Sequence, residues 1–378
     1  MEKVVIAGFV RSPFTPANKG ALARVRPDEM AAQVVKGLIE RTGVRVEALE
    51  DVILGCAFPE GEQGLNVARI VGFLAGFPVS VAGATVNRFC GSSMQAIHMA
   101  AGAVQMGAGE AFICGGVESM TRVPMPGFNF LPHPELYKSY PQVYISMGLT
   151  AENLARRYEI PREAQEEFAL ASHKKASAAE AGGSFSDEIV PIEYKGETIR
   201  KDGCIRPDTS LEALSKLEPA FEKGGTVTAG TSAPLTDGAS AVLVCSEAYA
   251  KRHRLEVLAR IKSISVSGCP PEIMGIGPVT AARKALERAG LKLDDIDVIE
   301  LNEAFAAQTL ACVRELKISL DRLNVAGGAL ALGHPLGASG ARITGKAASL
   351  LKKGKRRYAL ATMCIGGGQG IATVLEAV

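Results

Sequence analysis

The chain reads as an α/β protein made of two repeated halves, and three observations predict it. The stretch "GLIERTGVRVEALEDVILG" (37–55) is similar to "KALERAGLKLDDIDVIEL" (284–301) at an offset of about 246 residues, and the same offset lays Gly91 and Ser93 on Gly337 and Ser339. Each half runs helix, short loop, apolar strand, glycine-rich turn, small-residue helix and strand, the alternation of a doubly wound layer structure. The composition agrees: 41 glycines, 47% hydrophobic residues, 5% aromatics and no tryptophan favour closely packed backbone layers and tight loops over aromatic stacking sites.

Taken in order, the first half spans 1–250. Its helix, short loop and apolar strand fall in 37–55, and "VNRFCGSSMQAIHMAA" (86–101) follows. There Met94, Ile97, Ala100, Ala101 and Val104 recur at helical spacing, which predicts a buried helix capped by Ser92 or Ser93 with Cys90 at its mouth. The strand "AFICGG" carries Cys114. Residues 121–207 differ from the Gly/Ala-rich chain around them: a proline-rich start, "RVPMPGFNFLPHP", precedes a charged helix opening at Pro161-Arg162, so this segment is expected to be an inserted loop domain. The second half, 251–378, opens on "VLARIKSISVSG" (257–268), repeats the helix and strand, and ends on "YALATMCIGGG" with Cys364.

With 378 residues the chain supports about two cores of ordinary size. The 42 basic and 40 acidic residues nearly balance at +2, and the basic run Lys352–Arg357 falls between a helix pattern and an apolar strand, where a solvated turn is expected rather than a nucleic-acid surface. Eight cysteines form no C-x-x-C pair and five histidines show no ligand spacing, so neither a disulfide framework nor a metal site is predicted. No run approaches the roughly 18 apolar residues of a membrane span, and "MEKVVIAGFVRSPF" lacks the features of a secretion signal. A cytoplasmic protein is expected.

In open α/β sheets, function gathers at loops beyond the carboxyl ends of strands, and Cys90, Asn302, His334 and Cys364 are all expected there. A cysteine at a helix mouth faces unpaired N–H groups that favour thiolate, whereas a core cysteine is only a small hydrophobe. His334, between Gly333 and Pro335, sits on a rigid elbow, and Asn302 reads equally as a helix cap. The glycines after Cys364 suggest backbone N–H groups aimed at an anion.

Six ordered motifs, "VNRFCGSSMQA", "SMGLTAENLA" (146–155), "GTVTAGTSAPLTDGAS" (225–240), "NEAFAAQ" (302–308), "GGALALGHPLGASGAR" (327–342) and "MCIGGGQG" (363–370), make the chain resemble the thiolase family along essentially its whole length. The resemblance implies the thiolase fold, a five-layer αβαβα arrangement of two α/β halves with a loop domain inserted in the first, assembled as a homodimer or homotetramer. It implies thiolytic cleavage of 3-ketoacyl-CoA through an acyl-cysteine, in fatty-acid β-oxidation. Acyl-CoA and coenzyme A are then substrates, no cofactor is tightly bound, and a β-oxidation enzyme is a possible partner.

The resemblance also assigns roles. Cys90 is the nucleophile, His334 takes its proton, and Cys364 is the acid/base at the α-carbon. Asn302 holds a water that forms one oxyanion site with His334, and the N–H groups of Cys90 and Gly366 form the other. Arg206 lies near the nucleotide end of coenzyme A, Met147, Met274 and Phe305 line its pantetheine and acyl parts, and Ser232 is a further contact. Three departures accompany the match: Ala326 stands where asparagine is common, Ser146-Met147-Gly148 replaces His-Met-Gly, and Ala233 replaces a pantetheine-contacting serine. The first puts a supporting hydrogen bond in question, and the other two favour a degradative 3-ketoacyl-CoA thiolase over an acetyl-CoA acetyltransferase that condenses two acetyl-CoA. A non-catalytic acyl-CoA or lipid-binding relative is the alternative from another class.

Overall fold

The computed structural model describes residues 2–354 and 356–378; Lys355, within the basic run, lies outside the described residues. The first half contributes β1 (Val4–Arg11), the short β2 (Thr15–Pro16), α1 (Pro27–Thr42), β3 (Asp51–Gly55), α2 (Val67–Leu74), β4 (Ala82–Val86), α3 (Ser92–Met106) and β5 (Ala111–Ser119). A long excursion follows with α4 (Pro134–Ser139), α5 (Met147–Arg157), α6 (Arg162–Ala181), the hairpin β6 (Ile192–Tyr194) and β7 (Glu197–Ile199), and α7 (Leu211–Ser215). The chain returns through β8 (Thr236–Ser246) and α8 (Glu247–His253). The second half holds β9 (Ala259–Gly268), α9 (Gly277–Ala289), β10 (Val298–Leu301), α10 (Ala306–Leu316), α11 (Ala329–Leu332), α12 (Leu336–Gly354), β11 (Tyr358–Ile365) and β12 (Gln369–Glu376).

The repeat seen in the sequence is a repeat of structure. Both α1 and α9 carry proline in the first turn and stop at a glycine in the left-handed region, Gly43 at φ 66° and Gly290 at φ 68°. A short 3-10 turn and then a buried strand, β3 or β10, follow each. Strand order runs β4-β3-β5-β8-β1 in the first half and β9-β12-β11-β10 in the second. Val5 and Ile6 of β1 pair antiparallel with Arg260 and Ala259 of β9, so the two sheets join along one edge.

Between the sheets lie α3 and α12, which touch each other and strands of both halves, while α1 and α2 cover one outer face and α9 the other. This is the αβαβα order. The central helices approach closely because their contact is glycine against backbone: a Cβ on Gly340 would meet Met94 N at 2.5 Å, and Ser93 Oγ accepts the Ala341 N–H at 2.9 Å. Hence Ser93 does not cap α3; Gly91 precedes that helix with no side-chain cap, and Ser92 Oγ instead donates to Phe89 O. At the end of α12, Lys353 pairs with Asp187 at 2.7 Å and Lys352 with Glu256 at 3.6 Å.

The excursion is fastened by a buried ion network. Arg11 Nε donates to Glu188 at 2.8 Å and its two Nη atoms grip Asp202 at 2.7 and 2.8 Å, while Lys346 of α12 reaches Glu188 at 2.9 Å. Burial works against the Arg11 charge, yet Asp202 and Glu188 hold its pKa above the ordinary value.

Candidate active site

Cys90 follows β4 through a tight loop in which Gly91 N bonds Arg88 O at 3.0 Å and Ser92 N bonds Phe89 O at 3.0 Å. Arg88 fixes that loop to the other half by donating to Gln369 Oε1 at 2.7 Å. The thiol is buried, and burial pushes its pKa up to about 11, against the N–H groups of Gly366 and of Cys90 itself, which favour thiolate. The helix mouth therefore does not yield the thiolate expected from the sequence, because desolvation outweighs two N–H dipoles.

Cys364 is the penultimate residue of β11, paired with Gly370, rather than a loop residue as the sequence suggested. The reason is the tightness of the β11–β12 turn: Gly367 and Gly368 take φ 78° and 84°, and a Cβ on Gly368 would meet Cys269 O at 2.2 Å. Pairing thus extends to Ile365 and Gln369. Burial, then the proximity of Cys90, pushes the Cys364 thiol well above its ordinary pKa. The apolar cluster around Cys364 contains Met274, Phe305, Val227 and Ala304, with Met147 packed against it, so the three apolar candidates do meet there.

Asn302 is no helix cap. It directly follows β10 with its N–H on Thr362 O at 3.1 Å, and α10 starts only at Ala306 behind Phe305. Its Nδ2 lies 3.4 Å from His334 Nε2, and its fully buried Oδ1 has no hydrogen-bond partner among the described residues. A buried amide oxygen left open calls for a partner, which a ligand or a water supplies. His334 stands between α11 and α12, its N–H on Thr236 Oγ1 at 3.0 Å and its Nδ1 2.6 Å from Ser339 Oγ. Burial, then Arg342, lowers its pKa from 6.5 to about 3, so the imidazole is neutral at physiological pH.

Ser232 and Arg206 stand differently. Ser232 is buried with Oγ donated to Thr228 O at 2.7 Å, and its backbone bridges Phe305, so it shapes the wall that Phe305 belongs to. Arg206 is exposed; its N–H is held by His173 Nδ1 at 3.1 Å, and its guanidinium has no hydrogen-bond partner among the described residues. Ala326 packs with Phe185 and Leu332, while Asn324 supplies side-chain hydrogen bonds beside it, to Leu301 O at 2.8 Å and Glu303 at 2.7 Å.

Sequence reasoning passed over the carboxylates that hold these loops. Glu118, at the end of β5, accepts Ala57 N and Gly337 N on one oxygen, and Phe58 N and Gln63 Nε2 on the other. Glu303 accepts Ser172 Oγ, Asn324 Nδ2 and Leu330 N, fixing the "GGALAL" turn. Glu300 faces Arg342 at 3.0 Å, its pKa pushed up to about 7 by burial, which the Arg342 charge opposes. For Glu118 and Glu300 the available signal was a carboxylate near the end of an otherwise apolar strand. Among the described residues no group of three or more His, Cys, Asp or Glu could hold a metal ion, and no helix is long and apolar enough to cross a membrane.

Family models for the thiolase N-terminal domain and the thiolase C-terminal domain match residues 4–248 and 255–377. The chain belongs to the thiolase family. Among curated relatives of this thiolase, a 3-ketoacyl-CoA thiolase of Photobacterium profundum is 50% identical and one of Bacillus subtilis 45% identical, each over the whole of both chains. Among solved structures, human mitochondrial 3-ketoacyl-CoA thiolase superposes with TM-score 0.93 at 40% identity, covering 100% of this chain and 99% of that one. The same human enzyme in complex with CoA gives 0.92, covering 100% and 98%. Bacillus anthracis acetyl-CoA acetyltransferase gives TM-score 0.92 at 41% identity, covering 100% and 99%.

Proposed function

We propose that this thiolase cleaves 3-ketoacyl-CoA with coenzyme A, releasing acetyl-CoA and a shortened acyl-CoA, within fatty-acid β-oxidation in the cytoplasm. The observation that carries it is the pair of buried thiols, Cys90 and Cys364, near enough for a charge on Cys90 to raise the Cys364 pKa, with the Gly366 N–H aimed at Cys90. A Claisen cleavage needs that pairing, one sulfur to take the acyl group and one to manage the α-proton.

The chemistry follows from these positions. Cys90 Sγ adds to the C3 carbonyl as its proton passes to neutral His334 Nε2. The oxyanion is met by Nε2–H and by a water on Asn302, whose Oδ1 has no hydrogen-bond partner among the described residues. The C2–C3 bond breaks, and Cys364 gives its proton to the departing acetyl-CoA enolate while the Cys90 and Gly366 N–H groups receive its thioester oxygen. Cys364 then takes the coenzyme A thiol proton, the new thiolate attacks the acyl-cysteine, and His334 returns its proton to Cys90. With the Cys90 thiol pushed up to about 11 and the His334 imidazole lowered to about 3, no ion pair stands ready in the free enzyme, and the proton is transferred as the C–S bond forms.

Arg206, exposed and without a side-chain partner among the described residues, serves the nucleotide end of coenzyme A, and Met147, Met274, Phe305 and Ser232 build the wall along its pantetheine. Assembly as a homodimer or homotetramer fits the open edge of β4, directly before the Cys90 loop. The deciding experiment is coenzyme-A-dependent cleavage of a 3-ketoacyl-CoA series, wild type against Cys90→Ala. Turnover on six carbons and longer, lost in the variant, is expected. Preference for acetoacetyl-CoA would favour the acetyltransferase reading that the Bacillus anthracis neighbour suggests, and absence of turnover at every length would reject the reaction.

A further inference from the structure

Phe89, the residue directly before Cys90, has φ 43° and is 38% exposed. A bulky aromatic in the left-handed region is a backbone outlier, held only where its surroundings fix it. Core packing does not explain it, since the ring stays open to solvent. What fixes it is Asn87, whose Oδ1 accepts the Phe89 N–H at 2.8 Å while its Nδ2 donates to Ala57 O at 3.0 Å. One side chain therefore clamps the Cys90 loop to the loop that carries Phe58.

That second loop is itself rigid. Phe58 donates its N–H to Glu118 at 3.2 Å and accepts Gln63 Nε2 on its carbonyl at 2.9 Å. The Phe58 and Phe89 rings meet at 6.0 Å between centroids, tilted by 49°. On its other side, Phe89 borders the reacting end of the site: a Cβ built on Gly366 would lie 3.9 Å from Phe89 Cδ2 and 3.4 Å from Met147 Sδ. A strained, half-open aromatic pair thus stands at the lip of the nucleophile, beside the glycine whose N–H points at the thiol.

Resting on the thiolase reading above, we propose that Phe58 and Phe89 form one wall of the acyl subsite, seating the apolar tail of the substrate and setting the preference for longer over shorter 3-ketoacyl groups. Neither ring is polar, and Glu118, which accepts the Phe58 N–H, is turned onto backbone N–H groups, so the wall offers a fatty tail apolar contact. Each methylene seated there is worth about fourfold in kcat/KM.

The test compares kcat/KM for 3-ketodecanoyl-CoA and acetoacetyl-CoA in wild type, Phe58→Ala, Phe89→Ala and Phe89→Leu. Removing either ring is expected to lower the ten-carbon to four-carbon ratio by about tenfold or more, and Phe89→Leu to restore most of it, because leucine is apolar and keeps the backbone constraint. Should Phe89→Ala fail to fold, Phe58→Ala carries the test alone, its backbone being held by Glu118 and Gln63. A ratio within about twofold of wild type in Phe58→Ala, or equal losses at both lengths, overturns the wall, since a ring that only shapes the Cys90 loop slows every substrate alike. Wild type inactive at all lengths rejects the thiolase reaction itself, a different result from an active enzyme whose ratio does not move.

Discussion

Ser339 sets the tautomer of His334. Ser339 Oγ lies 2.6 Å from His334 Nδ1 and 3.1 Å from Pro335 O, and with its one hydroxyl proton assigned to that carbonyl the serine accepts from Nδ1–H. The imidazole proton is thereby held on Nδ1, leaving Nε2 bare toward Asn302 Nδ2 and the proposed reaction. Ser339→Ala is expected to lower kcat of thiolysis between about tenfold and a thousandfold, with little change in KM and partial rescue by Ser339→Thr. Steady-state kinetics decide it; an unchanged kcat would show that the ring keeps its tautomer without the serine.

With its pKa near 11, Cys90 should alkylate slowly at neutral pH in the absence of substrate. Iodoacetamide reacts with thiolate, so the Cys90 rate should rise about tenfold per pH unit from 7 to 10 without a plateau, measured by peptide mass spectrometry so that the other thiols are scored separately. A plateau below pH 8 would mean that a thiolate already stands in the free enzyme.

The duplicated halves were legible because both copies keep the same stop signals, a glycine after α1 and after α9 and an apolar strand just beyond. The pairing of β1 with β9 was not, since hydrophobic alternation says which face of a strand is buried and nothing of which edge it meets. Cys90, His334 and Cys364 stood out through their glycine-rich surroundings, and Asn302 as a polar residue just beyond an apolar strand. Glu118 and Glu303 did not, because their partners lie on loops distant in sequence, 219 residues in the case of Glu118 and Gly337 and 131 in that of Glu303 and Ser172; Ser339 did not, because its contact with His334 depends on how the elbow before α12 folds back. For Cys90 the helix mouth that favours thiolate shows in local sequence, whereas the desolvation that raises its pKa depends on everything packed above it.

Glu118 joins the Phe58 loop to the start of α12, just past His334. Its oxygens together accept three main-chain N–H groups and one side-chain amide. Glu118→Gln puts an NH2 donor against donors in a buried place, and about 2–4 kcal/mol of stability should be lost, read as a shift in the urea midpoint. A loss under about 0.5 kcal/mol would show that these loops hold without the carboxylate.

His98 on α3 is buried against Thr373 Oγ1 at 2.8 Å, and burial, helped by Arg88, lowers its pKa from 6.5 to about 3. Between those values the unfolded chain carries a proton that the folded chain refuses, so stability falls as pH drops below 6.5, by up to about 1.4 kcal/mol per pH unit. His334, near 3, and His173, near 4, act in the same direction, while Glu300, pushed up to about 7, acts in the opposite one. All three are unchanged in His98→Gln, which removes only the one titration and keeps a hydrogen-bonding atom for Thr373. If wild type is the more stable protein at pH 7.5, its advantage should shrink by about 1–2 kcal/mol at pH 5, measured by chemical unfolding at both values. An advantage equal at the two pH values would mean that His98 is protonated in the folded protein and that its burial is relieved by a partner other than Thr373.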